Sequence, residues 1–154
     1  MIRIVLYKPQ IPPNTGNIIR LCSNTGFELH IVGPIGFSLD NKLLKRAGLD
    51  YHLNTNKIKL YKNFEDCIRC IGIDKFLVIT KYGKVQYDKV KYDINSALLF
   101  GSETRGLPME VAKLFDSEKK IYIPMKSGNR SLNLSNSVAI VAYEAWKQVQ
   151  YIGI

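Results

Sequence analysis

Six short apolar runs punctuate the chain: "IRIVLY" (2–7), "LHIVG" (29–33), "KIKLY" (57–61), "KFLVIT" (75–80), "ALLF" (97–100) and "KIYIP" (120–124). Most are β-branched and continuous rather than alternating, the pattern of strands buried on both faces. Helix-like segments lie among them. One opens at Asn14 as a cap and closes at Gly26 in a left-handed turn. Others are "DNKLLKRAG" (40–48), "NFEDCIRCIG" (63–72) with Asn63 as cap, "PMEVAKLF" (108–115) with Pro in its first turn, and a final helix over 135–150. Strands alternating with helices predict an α/β fold with a mostly parallel sheet flanked by helices. No linker or low-complexity tract divides the 154 residues, so one domain over 1–154 is expected.

Hydrophobic residues make up 46% of the chain, which excludes a disordered class. No apolar run approaches the ~18 residues of a membrane span. "MIRIVLYKPQ" is broken too early by Lys8 and Pro9 to be a signal peptide, so a cytoplasmic location is expected. The net charge of +9 favours a polyanionic partner, nucleic acid first. The cations are dispersed, which suits a broad surface. Cys67 and Cys70 form a C-x-x-C without a second ligand pair, and Cys67 already lies inside a helix. They read as ordinary helix cysteines, and no metal is expected.

In parallel α/β folds, ligands sit beyond the C-terminal ends of strands. Three polar loops hold such positions: 9–17, 101–108 and 124–134. The first leads into a helix on which Asn17, Arg20 and Asn24 share one face. That pattern suits a phosphate or ribose site, or equally an Asn cap, a packing Gly and a solvated Arg. The second, "FGSETRGLP", has glycines that permit a tight turn around Glu103 and Arg105, yet it matches neither the P-loop nor the dinucleotide fingerprint. A simple connecting loop with an exposed ion pair is the alternative. The third, "SGNRSLNLSNS" (127–137), packs small donors and acceptors before an apolar helix. Asn133 or Ser135 is the candidate cap. "VAIVA" (138–142) is apolar on nearly every side, so a partner subunit or a wrapped loop is expected to cover that helix.

Together, "PPNTGNIIRLC", "FGSETRGLP" and "IPMKSGNRSLNLSNSVAIVAYEAW" resemble the three motifs of the SPOUT methyltransferases. The likeness is closest to the TrmL/YibK type, and "RAGLDYH" (46–52) fits it too. The resemblance implies a C-terminal trefoil knot, which the rules of chain connection do not predict. It also implies 2′-O-methylation of the wobble nucleotide of tRNA, a cytidine or modified uridine, leucine tRNAs among the substrates. The methyl donor would be S-adenosylmethionine, with S-adenosylhomocysteine as product. The minimal type lacks an added RNA-binding domain. A homodimer through the N- and C-terminal helices would then hold the tRNA anticodon stem-loop on its basic surface.

By the same resemblance, the cofactor would lie against Val78 or Ile79, Thr80, Gly101, Ile123, Met125, Ser131 and Leu132. Asn133 and Asn136 would shape its loop. Glu103 belongs to this set and borders the RNA side. Arg20, Asn17 and Tyr143 would form the catalytic group; Lys42, Lys45, Arg46, Arg105 and Arg130 would meet RNA. Ser102 stands where Pro is familiar in that type. An arginine matching Arg20 is proposed in related enzymes to take the hydroxyl proton, an awkward role for a guanidinium that stays protonated. Two further readings remain: a methyltransferase acting on ribosomal RNA, and a non-catalytic RNA-binding protein with a degenerate cofactor pocket.

Overall fold

The computed structural model describes residues 1–37 and 58–153. Within them the six apolar runs and one further short strand, β5, form one parallel sheet: β1 (Arg3–Tyr7), β2 (Glu28–Val32), β3 (Ile58–Tyr61), β4 (Phe76–Ile79), β5 (Val85–Gln86), β6 (Ala97–Phe100) and β7 (Lys120–Tyr122). Their order is β3-β2-β1-β6-β4-β7-β5, and every pairing is parallel. Among the described residues the α-helices are α1 (Pro12–Thr25), α2 (Phe64–Ile71), α3 (Met109–Ala112) and α4 (Leu134–Gln148). The expected helix over 40–48 lies outside the described residues.

Side chains alternate across the sheet with the period of two that a strand imposes. Ile4, Leu6, Leu77, Leu98 and Phe100 face one side, where α1 and α4 cover them with Ile18, Cys22, Val138, Val141, Ala145 and Trp146. Val5, Tyr7, Phe76, Val78 and Leu99 face the other, against Phe64 and Cys67 of α2 and Val111 and Phe115 beyond. Burying such an aliphatic side chain fully is worth about 1.5–3 kcal/mol, so the two layers supply the driving force for docking the helices.

Two helix starts differ from expectation. α1 begins with Pro12 and Pro13 in its first turn, and its N-cap is Ile11. Proline suits those positions because their N–H groups have no helical acceptor. Asn14 is therefore not the cap; it lies inside the first turn with its side chain buried. α3 is only one turn long, shorter than the expected 108–115. Elsewhere the local signals hold. Asn63 accepts the N–H of Asp66 at 2.9 Å, and Gly26 closes α1 at φ 75°. Cys67 is buried in α2, where desolvation pushes its thiol up to about 12, away from thiolate chemistry.

Within the chain, α4 is covered on one side only. Asn136, Tyr143 and Lys147 are exposed, and Ala139 and Ile140 are half-buried, forming one open face. Among the described residues, no part of the chain covers that face.

β7 is inserted between β4 and β5, strands that follow each other in sequence and are linked only by residues 80–84. This link crosses the β7 backbone at Gly83. A Cβ there would stand 2.4 Å from the Ile121 carbonyl carbon, so only glycine fits. A late strand is thus inserted between two earlier strands that are directly linked.

Candidate active site

The chain leaves β1, β4, β6 and β7 at the same end of the sheet, and the following segments meet there. The loop after β6 folds back on itself. Ser102 N–H donates to the Gly106 carbonyl at 3.1 Å, and Gly106 N–H returns to the Ser102 carbonyl at 2.9 Å. The turn needs Gly106 at φ 65°. It brings Gly106 and Leu107 so near Gly101 that a Cβ at 101 would lie 2.2 Å from their backbone. A proline at 102 would lack the N–H that closes this loop, so Ser102 contributes a bond of its own.

The closed loop presents Glu103 to the segment before α1. Its carboxylate accepts the N–H of Gln10 at 2.8 Å, the N–H of Ile11 at 3.0 Å and the side-chain amide of Asn14 at 3.1 Å. Asn14 in turn accepts the side-chain amide of Asn133 at 2.9 Å. The Asn133 side-chain oxygen Oδ1 caps α4, accepting Ser135 N–H at 2.9 Å and Asn136 N–H at 3.3 Å. One chain of hydrogen bonds therefore joins the three loops singled out in the sequence, with the buried Asn14 at its centre. The same bonds occupy the helix starts. Pro12 and Pro13 carry no N–H, so the start of α1 lacks two of the free donors that a helix N-terminus offers a phosphate, and the cap of α4 is filled from within.

Beside this clip lies a cavity of about 420 Å³, within the range of small-molecule sites. Of the expected cofactor residues, Ile79, Thr80, Gly101, Glu103, Ile123, Met125, Ser131, Leu132 and Asn133 line it, as does Arg105. Val78 does not: it points to the opposite side of the sheet, fully buried among Phe64 and Phe76. Asn136 is exposed on α4 and reaches the site only through its N–H to Asn133. Asn17 and Arg20 stand on the exposed face of α1, and Tyr143 on the open face of α4; none of the three lines the cavity. Among the described residues, Arg20 has no hydrogen-bond or ion-pair partner. Arg130 is exposed on the loop before α4. Lys42, Lys45 and Arg46 lie outside the described residues.

Asn14, Ser102, Leu107, Ser137 and the pair Lys81 and Tyr82 also line the cavity and were not anticipated. The position of residues 81 and 82 just past the end of a parallel strand is the signal that marks them. Small polar groups and apolar walls at Ile79, Ile123 and Leu132 suit a ligand with a flat apolar part and several polar atoms.

A cavity at the C-terminal ends of parallel strands, closed by three clipped loops, is a ligand site of the open α/β class. The chain belongs to the SpoU rRNA Methylase family, whose pattern matches residues 1–143. It is 48% identical over 153 residues to the tRNA (cytidine(34)-2′-O)-methyltransferase of Methylovorus glucosotrophus, covering 99% of both chains. Among solved structures, one described as giving structural insights into the 2-OH methylation of C/U34 on tRNA superposes with a TM-score of 0.86 at 37% identity, covering 97% of both chains. The AdoMet-bound rRNA methyltransferase of Sinorhizobium meliloti superposes at 0.82 with 25% identity, over 96% of this chain and 56% of that one.

Proposed function

We propose that this protein methylates the ribose 2′-oxygen of nucleotide 34, a cytidine or uridine, in tRNA, with S-adenosylmethionine as methyl donor. The observation that carries this reading is full-length identity of 48% to an enzyme of that name, joined to a cavity built by the three loops. Leucine tRNAs are the first substrates to assay, and the cytoplasm is the expected place of action.

The cavity fits the donor. Its volume of about 420 Å³ accommodates a nucleoside with a short side chain, and its walls pair apolar surface with small polar groups. The cofactor brings a methyl group already activated on a sulfonium. The protein's work is therefore placement. Ile79, Ile123 and Leu132 would flank the purine, and Thr80, Ser131 and the backbone at Gly101 and Met125 would fix its polar edges. Glu103 acts through structure, since its oxygens are engaged in holding loop 9–11 and Asn14. Asn133 holds the third loop to the first.

Arg20 and Asn17 lie on the exposed face of α1 next to that clip. Arg20 would hold the 2′-oxygen and a neighbouring phosphate through its planar fork of donors. A guanidinium keeps its proton at ordinary pH, so positioning is the role its chemistry allows. The wobble nucleotide lies in a single-stranded loop, whose ribose and base can be splayed into a site.

A second copy of the chain completes the surface. Tyr143 is 46% exposed on α4, beside half-buried Ile140, and half-buried Leu21 lies on α1 near Asn17 and Arg20. An apolar patch of this kind on a small domain suits a subunit contact. Sedimentation across a concentration series tests it: a dimer is expected, and a monomer at all concentrations removes it.

The ribosomal-RNA reading has the family description in its favour. Transfer of labelled methyl from S-adenosylmethionine to undermodified tRNA or to ribosomal RNA separates the two. Label in tRNA supports the proposal, and label in ribosomal RNA alone favours the second reading.

A further inference from the structure

We infer that Tyr82, with Lys81, is a stacking platform for a base of the bound RNA strand, an inference that rests on the tRNA reading above. Tyr82 is 78% exposed, the most exposed large apolar side chain among the described residues, and it stands at the rim of the cavity. A ring so exposed contributes little to packing within the chain. The backbone beneath is held firmly. Thr80 N–H donates to the Ile121 carbonyl at 2.9 Å, Gly83 N–H to the Thr80 carbonyl at 3.1 Å and Lys84 N–H to the Lys120 carbonyl at 3.0 Å. Tyr82 N–H donates to the Thr80 hydroxyl at 3.3 Å. Gly83 is pressed on β7, so the turn cannot sink and take the ring with it. The backbone that carries the ring is thus set in advance, which reduces the entropy lost on binding.

Charge selects the ligand. The Lys81 ammonium lies 5.0 Å from the centre of the Tyr82 ring, and Lys84 follows on the same turn, exposed. S-Adenosylmethionine carries a net positive charge, so paired lysines do not draw it. A nucleic-acid strand offers both what lysine attracts and what tyrosine stacks on, a phosphate and a base on one nucleotide. The occupant assigned to this platform is therefore a nucleotide of the anticodon loop other than the one being methylated, entering over the cavity rim.

Kinetics with tRNA and cofactor varied separately test this. Tyr82→Ala is expected to raise the KM for tRNA about fivefold or more, the scale of losing one base stack, while the Kd for S-adenosylmethionine stays within about twofold. Tyr82→Phe, which keeps the ring, is expected to restore the KM. Lys81→Gln should lower the salt dependence of tRNA binding by about one phosphate contact. A weakened cofactor Kd with unchanged tRNA KM would overturn the proposal and make Tyr82 a cover for the cofactor. Unchanged constants for both ligands would overturn it as well. Failure of the parent reading shows differently, as a wild-type protein that methylates no tRNA.

Discussion

Asn133 donates its side-chain amide to the Oδ1 of Asn14 at 2.9 Å, across 119 residues of sequence. Asn14 is buried and passes the connection on to Glu103. Three loops that leave three different strands are thereby joined, and all three line the cavity.

Asn14→Ala leaves Glu103 without one donor and Asn133 without its acceptor, in a partly buried place. The expected loss is about 1–3 kcal/mol, concentrated in the loops. S-Adenosylmethionine binding by calorimetry should weaken about tenfold or more. Asn14→Asp is the sharper variant, because it sets a second carboxylate against Glu103 and should be worse than alanine at neutral pH. Equal binding by wild type and both variants would show that the clip does not shape the cavity.

The two glycines of the second loop should respond differently to alanine. At Gly101 the new methyl meets backbone at 2.2 Å, which cannot move aside cheaply, and a loss of about 3 kcal/mol or more is expected. At Gly106 a Cβ meets nothing within 4 Å, and the penalty is the left-handed φ of 65° alone, about 1–2 kcal/mol. Thermal melts of the two variants rank them. The reverse order would mean that the loop does not close as described.

Acid should destabilise the fold through His30. The imidazole is fully buried, bonded to the Tyr61 hydroxyl at 2.9 Å and to Glu28 at 3.2 Å. Burial lowers its pKa, and the favourable Glu28 carboxylate only partly offsets this; Lys59 and Arg3 nearby lower it further. The unfolded chain, with an ordinary imidazole near 6.5, then takes up its proton first as pH falls. Stability is full above about pH 7 and declines below about 6.5. Glu28 is itself shifted down, by its bonds to His30 and Lys59 against the cost of burial, so its loss comes at lower pH. Chemical denaturation from about pH 7.5 to 5.5 should show the decline in wild type and a shallower slope in His30→Gln. Any contribution of His52 is common to both proteins. An unchanged slope would remove His30 as its source.

Arg20→Lys separates a positioning arginine from a basic one. Lysine keeps the charge but loses the fork, so weaker tRNA binding with most of the turnover kept is expected. A fall in kcat of about a hundredfold or more with tRNA binding intact would instead assign the proton to Arg20.

Much of this architecture was legible because strands buried on both faces read as continuous apolar runs. β5 was not, since Val85–Gln86 is two residues long and gains its identity only by pairing with β7. The order of strands was also out of reach. Nothing near residues 80–84 announces that β7, which starts at Lys120, will lie between β4 and β5. Motif resemblance located the loops, yet which side chains face the cavity depends on strand facing: Ile79 looks to one side of the sheet and Val78 to the other. Asn14 was misplaced as a cap because Pro12 and Pro13 begin the helix earlier. Its burial depends on Glu103 and Asn133, distant partners that no local window contains.

The most direct test of the account is the position of the methyl group. Purified protein, S-adenosylmethionine and tRNA lacking wobble methylation are incubated, and nuclease fragments of the tRNA are sequenced by mass spectrometry. The account predicts one added methyl on the ribose of nucleotide 34, as cytidine or uridine, and its loss in Arg20→Ala. A methyl on a base, on another nucleotide, or on no tRNA at all would contradict it.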